Sequence, residues 1–357
     1  MKKGTYKSLS CRRCICQFAF FILIFLSFKV NAQLDNSLKV IMEDGYIEKM
    51  NNYVGLKLSM SNSIETFLVQ TPTNKIDLYP NTSNIGKISF NYRFISFSIG
   101  FAPGFLPGNG DNAMKGKTKT TSYGTGLNFR HWFQDLSYTR IRGYYLNNTR
   151  DYNAEWVNGD PYVQFPDLVY KKFQGITGYS FNPKFSVKSL TTQTERQLKS
   201  AGSFIPLVAY RYYIIDDRTP LTSTNTSQRT NNFEFAISAG YHYTFVLKQN
   251  FYFSLGFTPG VGYNFTKLYT RSQAESIITR SKSPEFRWDG RGAIGYNGDR
   301  FFAGAILNLG GSSFRQENTT AINHGYTSSY QVFIGFRLNA PHVLRQSFDD
   351  ALKLKTW

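Results

Sequence analysis

The chain has 357 residues, with 41 Lys and Arg against 23 Asp and Glu, a formal charge of +18, and 17% Phe, Trp or Tyr. Aromatic content this high excludes a low-complexity disordered chain. No stretch after residue 30 reaches the roughly 20 apolar residues of a spanning helix, which excludes a polytopic helical membrane protein. The basic balance alone would suit a nucleic-acid binder, so the location of the charges has to decide.

The N-terminus carries Lys2, Lys3, Lys7, Arg12 and Arg13, then the apolar run from Ile15 to Phe28, then Val30-Asn31-Ala32. A basic start, an apolar centre too short to span and a small-residue end predict a signal peptide over 1–32, cut after Ala32. Its removal takes six basic residues and no acid, leaving 35 against 23, or +12. It also takes Cys11, Cys14 and Cys16, all the cysteine in the chain. The rest can form no disulfide and no thiolate metal site.

After a short periplasmic segment (33–52), period-two alternation dominates. Val54, Leu56, Leu58 and Met60 share one parity, as do Phe233, Phe235 and Ile237, and Phe251, Phe253, Leu255 and Phe257. Side chains flip face at each strand residue, so each run has one apolar face and one polar or small face. Strands are expected near 53–69, 85–92, 95–102, 120–131, 135–147, 181–190, 202–215, 232–246, 250–266, 284–297, 300–314 and 327–338. Runs of roughly 10–15 residues exceed the 5–6 of soluble strands and can cross a bilayer at a tilt. Short connections (Arg93-Phe94, 132–134, 247–249, Gly298-Asp299, with 191–201 the longest) alternate with long ones (70–84, 103–119, 148–180, 216–231, 267–283, 315–326). A soluble β-sandwich has no reason to alternate so. The reading is all-β: a transmembrane antiparallel β-barrel of about twelve strands over 53–340, with periplasmic termini. A helix-compatible periplasmic tail follows over 341–357.

Several segments resemble an uncharacterised outer-membrane β-barrel family of Bacteroidetes-type bacteria, a domain of unknown function. They include Phe181-Asn182-Pro183-Lys184-Phe185-Ser186, Gln193 through Arg196, and Lys199-Ser200-Ala201-Gly202-Ser203-Phe204. Asp44 to Glu48, Tyr79-Pro80-Asn81, Gly116-Lys117-Thr118-Lys119 and Gly143-Tyr144-Tyr145-Leu146 are similar as well. The resemblance runs from about residue 44 to the last strand. It implies an exported outer-membrane barrel and brings no activity, substrate or site residue.

By parity the lumen receives Lys57, Lys87, Arg130, Arg211, Glu234, His242, Arg287, Asp289, Arg291 and Arg337. Such a basic lumen fits a passive channel that favours small anionic solutes, or a binding or structural barrel whose charges pair and fill a narrow interior. The alternative is an outer-membrane hydrolase, lipase or protease, with its site in the wall or rim. His242 with Ser238 on the same face is the nearest approach to a nucleophile and base. No metal-ligand spacing and no phosphate loop occur, so neither metal nor cofactor is expected. The remaining charge is spread out. Its clusters, such as Lys115, Lys117 and Lys119, Lys171-Lys172, and Arg271 with Arg280 and Lys282, fall in or beside outer loops. Outer-membrane lipid and anionic lipopolysaccharide are the expected partners there, not nucleic acid.

Overall fold

The computed structural model describes residues 40–42, 45–62, 65–70, 75–223, 225–315 and 322–353. The signal peptide expected over 1–32 lies outside them. In chain order the strands begin with β1 (Val40–Met42), β2 (Ile47–Lys49), β3 (Tyr53–Ser61), β4 (Phe67–Gln70), β5 (Lys75–Tyr79) and β6 (Ile85–Tyr92). Then come β7 (Ile95–Phe101), β8 (Lys119–Asn128), β9 (Trp132–Leu146), β10 (Gln164–Tyr179), β11 (Glu195–Gln197) and β12 (Ala201–Asp217). The last are β13 (Ser227–Leu247), β14 (Phe251–Arg271), β15 (Ser276–Asn297), β16 (Phe301–Arg315) and β17 (Ile322–Asn339). Three helices matter: α1 (Asn112–Lys115), α2 (Lys188–Thr191) and α3 (His342–Lys353).

Twelve strands close an antiparallel barrel in the order β3-β6-β7-β8-β9-β10-β12-β13-β14-β15-β16-β17, with β17 pairing back to β3. Closure leaves no strand edge in the wall. Alternation sorts the two faces sharply. Ile237 is 56% exposed and its neighbour Ser238 only 3%; Leu255 is 50% exposed and Ser254 only 5%. Phe97, Tyr241, Phe257 and Phe286 join the outer set. A wall of exposed aromatic and aliphatic side chains around a polar interior is the inverse of a soluble fold, and it suits a lipid surround.

The strands differ from the sequence expectation at two places. The sixth wall strand is Gln164–Tyr179, inside the segment expected to be a long loop, and 181–190 is not a strand at all. A register shift between Phe165 and Val169 interrupts the period of β10, and its inward face carries large apolar residues such as Tyr170. The alternation that marks the other strands is thereby masked. The first expected strand, 53–69, divides: β3 ends at Ser61, and β4 pairs with β5 as a separate hairpin.

Tight turns join one end of the barrel. Leu247 pairs with Phe251, and Lys248 and Gln249 both take positive φ (49° and 59°) in the three-residue turn between them. The turn expected at 132–134 instead occupies 129–131, where the Phe129 N–H donates to the Trp132 carbonyl (2.7 Å). Both chain ends gather here. β1, β2 and β11 form a small sheet outside the barrel. Helix α3 docks through Leu344 and Phe348 on Val54, Tyr92 and Ala340, with Asp349 paired to Arg93 at 2.6 Å.

Candidate functional site

The lumen is filled at the end where the termini gather. Residues between β10 and β12 turn inward there rather than crossing the wall. Phe185 and Leu190 seat among lumen-facing Ala201, Ile205, Tyr252, Ala293, Phe302, Ile306 and Phe333. Pro183 excludes regular strand pairing at its own position, and the short α2 then places Leu190 inward. The plug is tied to the wall by charge-assisted hydrogen bonds. Arg337 Nε and Nη2 donate to the Gln193 carbonyl (3.1 and 2.5 Å), and Nη2 also donates to Asn297 Oδ1 at 2.5 Å. Lys57 Nζ donates to the Thr191 carbonyl at 2.5 Å and to Gln193 Oε1 at 3.3 Å.

Gln193 holds a φ of 55°, a strained conformation for a residue with a side chain, and is 1% exposed. That conformation belongs to the tip where its carbonyl meets Arg337. Below the plug, buried Arg196 pairs with Glu48 of β2 and reaches Asn250 Oδ1 at 2.7 Å and Asp299 at 2.9 Å. Lys188, Glu195 and Ser186 complete it: Lys188 to Glu195 at 2.7 Å, and Ser186 Oγ to Glu195 Oε2 at 2.6 Å. Removing polar groups from water is costly unless each finds a partner. This set is closely partnered and so pins one docked geometry.

The opposite mouth is partly covered by the β4–β5 hairpin. Phe67 packs on Tyr144 and Tyr170 (centroids 5.4 and 5.0 Å), beside Ile141 and Leu168. Glu65 pairs with Lys172 and accepts from the Tyr170 hydroxyl at 3.1 Å. Burial raises the Glu65 carboxyl, but the Lys172 ammonium, the Arg211 guanidinium and the Tyr170 hydroxyl together outweigh that and hold it below its ordinary value.

Between the two closures lies a charged chamber, with Glu285 beside Glu234, Arg211 and Arg287. Arg211 faces Glu234 across the β12–β13 ladder, with Nε to Oε2 at 2.7 Å. Arg287 and Asp289 pair along β15 at 3.1 Å. Asp289 remains exposed, as does lumen-facing Ile176, so side chains do not fill this level. Arg291 lies one inward position nearer the plug, opposite Gly256, and shares an electrostatic neighbourhood with Lys57, Lys87 and Asp135. The inward-facing positions thus hold Arg211, Glu234, His242, Arg287, Asp289, Arg291 and Arg337. Arg337 serves the plug rather than the chamber. Arg130 lies in the exposed 129–131 turn, outside the lumen, beside a cleft of about 90 Å³ also lined by Lys49 and Glu195.

His242 rests over Gly256, where an added Cβ would come within 2.0 Å of Nδ1, and its Nε2 meets Thr258 Oγ1 at 3.1 Å. Among the described residues no carboxylate pairs with this imidazole. The arrangement is a hydrogen-bonded lumen residue and lacks the orienting acid of a nucleophile–base–acid triad. Among the described residues no group of three or more His, Cys, Asp or Glu could hold a metal ion.

The plug residues Phe185, Leu190 and Gln193 carry no sequence signal of an inward role. Their one hint is the interruption of strand character by Pro183, which reads equally as a turn.

Among solved structures, the outer membrane protease OmpT from Escherichia coli aligns at 7% identity over 81% of this chain and 97% of its own, with a TM-score of 0.34. The copper transporter OprC aligns at 9% identity over 80% of this chain and 43% of its own, with a TM-score of 0.33. The ferric yersiniabactin uptake receptor FyuA from Yersinia pestis aligns at 9% identity over 78% and 43%, with a TM-score of 0.30. The chain spans less than half the length of the last two. Scores this low transfer no activity or ligand. No curated protein matches the chain. A family model, described as a domain of unknown function (DUF4421), matches residues 42–338, and the chain belongs to that family.

Proposed function

We propose that this protein is exported by a cleavable signal peptide into the outer membrane of a Gram-negative cell. There it acts as a binding or structural barrel that is closed to free diffusion. The observation that carries this reading is the seat of Phe185 and Leu190 in the barrel floor, reinforced by Arg337 and Lys57. An open, porin-like lumen has no use for a buried segment hydrogen-bonded across its mouth. The apolar wall supports the membrane setting. At the level of Arg291, the cations Arg291, Lys57 and Lys87 share the single carboxylate Asp135, which favours small anionic solutes as occupants there.

Refolded protein in planar bilayers is expected to stay silent. Steady ohmic steps with anion preference would instead make it an open channel. Calorimetry with small carboxylates and phosphates tests the chamber: saturable binding is expected, and Arg291→Gln should abolish it.

A further inference from the structure

The outer rim carries a second basic feature that plays no part in the lumen. On β9, Tyr138, Arg140 and Arg142 alternate onto the lipid-facing side, with both arginines exposed. Register places Lys171 of β10 directly beside Arg140, and Lys119 of β8 directly beside Arg142. Adjacent strands are about 4.8 Å apart, and two residues along a strand add roughly 7 Å. The four cations therefore share one patch on neighbouring strands. Arg142 has a carboxylate partner, Asp167 at 2.7 Å. Among the described residues Lys119, Arg140 and Lys171 have none.

The height of the patch is as informative as its charge. Trp132, exposed at the start of β9, marks the margin on the side of the termini. Arg140 lies eight residues further, about 20 Å along the barrel axis at ordinary rise and tilt. An apolar band is about 25 Å tall. The cations thus stand where hydrocarbon gives way to headgroups, above the outward rings of Tyr138 and Phe173. Adjacent like charges repel, and at a lipid boundary they have little water to screen them. An anion there satisfies Lys119, Arg140 and Lys171, the three without a carboxylate partner. Long Arg and Lys side chains can reach up to it from an apolar wall, and the Arg fork matches a phosphate.

We infer that the outer ends of β8, β9 and β10 form a binding site for a phosphorylated glycolipid headgroup of the outer leaflet. The charges face sideways into lipid, not into the loops or the lumen, so a lipid, not a soluble anion, is the occupant. The inference rests on the proposed outer-membrane orientation.

The test uses the full chain refolded into nanodiscs, titrated with bisphosphorylated lipid A, its dephosphorylated form, or inorganic phosphate, and read by native mass spectrometry. Wild type is expected to retain the bisphosphorylated lipid about tenfold more tightly than the dephosphorylated one. The combined Lys119→Gln, Arg140→Gln and Lys171→Gln variant should lose that preference. Lys248→Gln, in a turn at the opposite end, should keep it. Equal retention of both lipids by wild type, or by wild type and the triple variant, overturns the site. So does inorganic phosphate competing at equal concentration. Failure of the orientation itself would look different: the barrel would insert, but added protease would cut the 248–250 turn from the outer face of intact cells.

Discussion

Truncating the plug without touching the wall isolates what the plug does. Phe185 is 2% exposed and lies in neither a wall strand nor a ladder, so Phe185→Ala removes buried ring without removing a barrel hydrogen bond. A buried Phe→Ala change costs about 3–5 kcal/mol, combining lost transfer energy with the cavity left behind. The barrel strands do not depend on this side chain, so the cost falls on plug docking. At 1.4 kcal/mol per factor of ten, undocking becomes roughly 100- to 4,000-fold more frequent. Single-channel recording in planar bilayers reads this directly. Wild type is expected to be closed, with openings in Phe185→Ala that increase further in the double variant with Leu190→Ala. Heat-modifiable gel mobility reports the intact barrel in the same samples. If the double variant kept its mobility shift and stayed silent, the plug would not be what closes the lumen.

Glu65→Gln leaves Lys172 buried without its carboxylate, at a cost of about 3–5 kcal/mol, and should expose the β4–β5 hairpin to limited proteolysis. In wild type that clasp has full strength above the ordinary Glu65 value of 4.5 and is lost as pH falls through the lowered folded value, so proteolysis should accelerate only in acid. Gly240→Ala should lower the melting temperature, because its Cβ would lie 2.2 Å from the Phe257 carbonyl, whereas Gly292→Ala, with its nearest neighbour at 3.9 Å, should leave it unchanged. N-terminal sequencing of protein from the membrane fraction should begin at Gln33; an intact Met1 would show that the leader is retained.

The wall was legible in the sequence because a barrel strand writes its two environments in strict alternation. β13 and β14 display this plainly, since small or polar Ser238, Ser254 and Gly256 face in while Phe and Ile face out. The exceptions have physical reasons. Strand β10 packs Tyr170 and Leu168 inward against Phe67, so both of its faces carry apolar residues and the period fades. Phe185 and Val187 imitate alternation while belonging to the plug, because an inward-folded segment also needs apolar side chains at intervals, whereas Phe181 stays exposed on the outer face against Tyr179 and Phe204. The charges of the chamber follow from parity once the strands are known. The assignment of Arg130 depended on where one turn falls, and moving that turn by three residues took it out of the wall. Long-range ties such as Arg337 to Gln193 or Arg196 to Glu48 have no local sequence signature.

The central claim is a membrane wall in which adjacent residues see lipid and lumen in turn, and single-cysteine labelling tests it most directly. The native cysteines all lie within residues 11–16, so a chain cut after Ala32 offers a cysteine-free background. A fluorophore at Ile237→Cys or Leu255→Cys should be quenched by lipids with brominated acyl chains, and one at Ser238→Cys or Ser254→Cys should not. Equal quenching at both members of each pair, or none at either, would contradict the account.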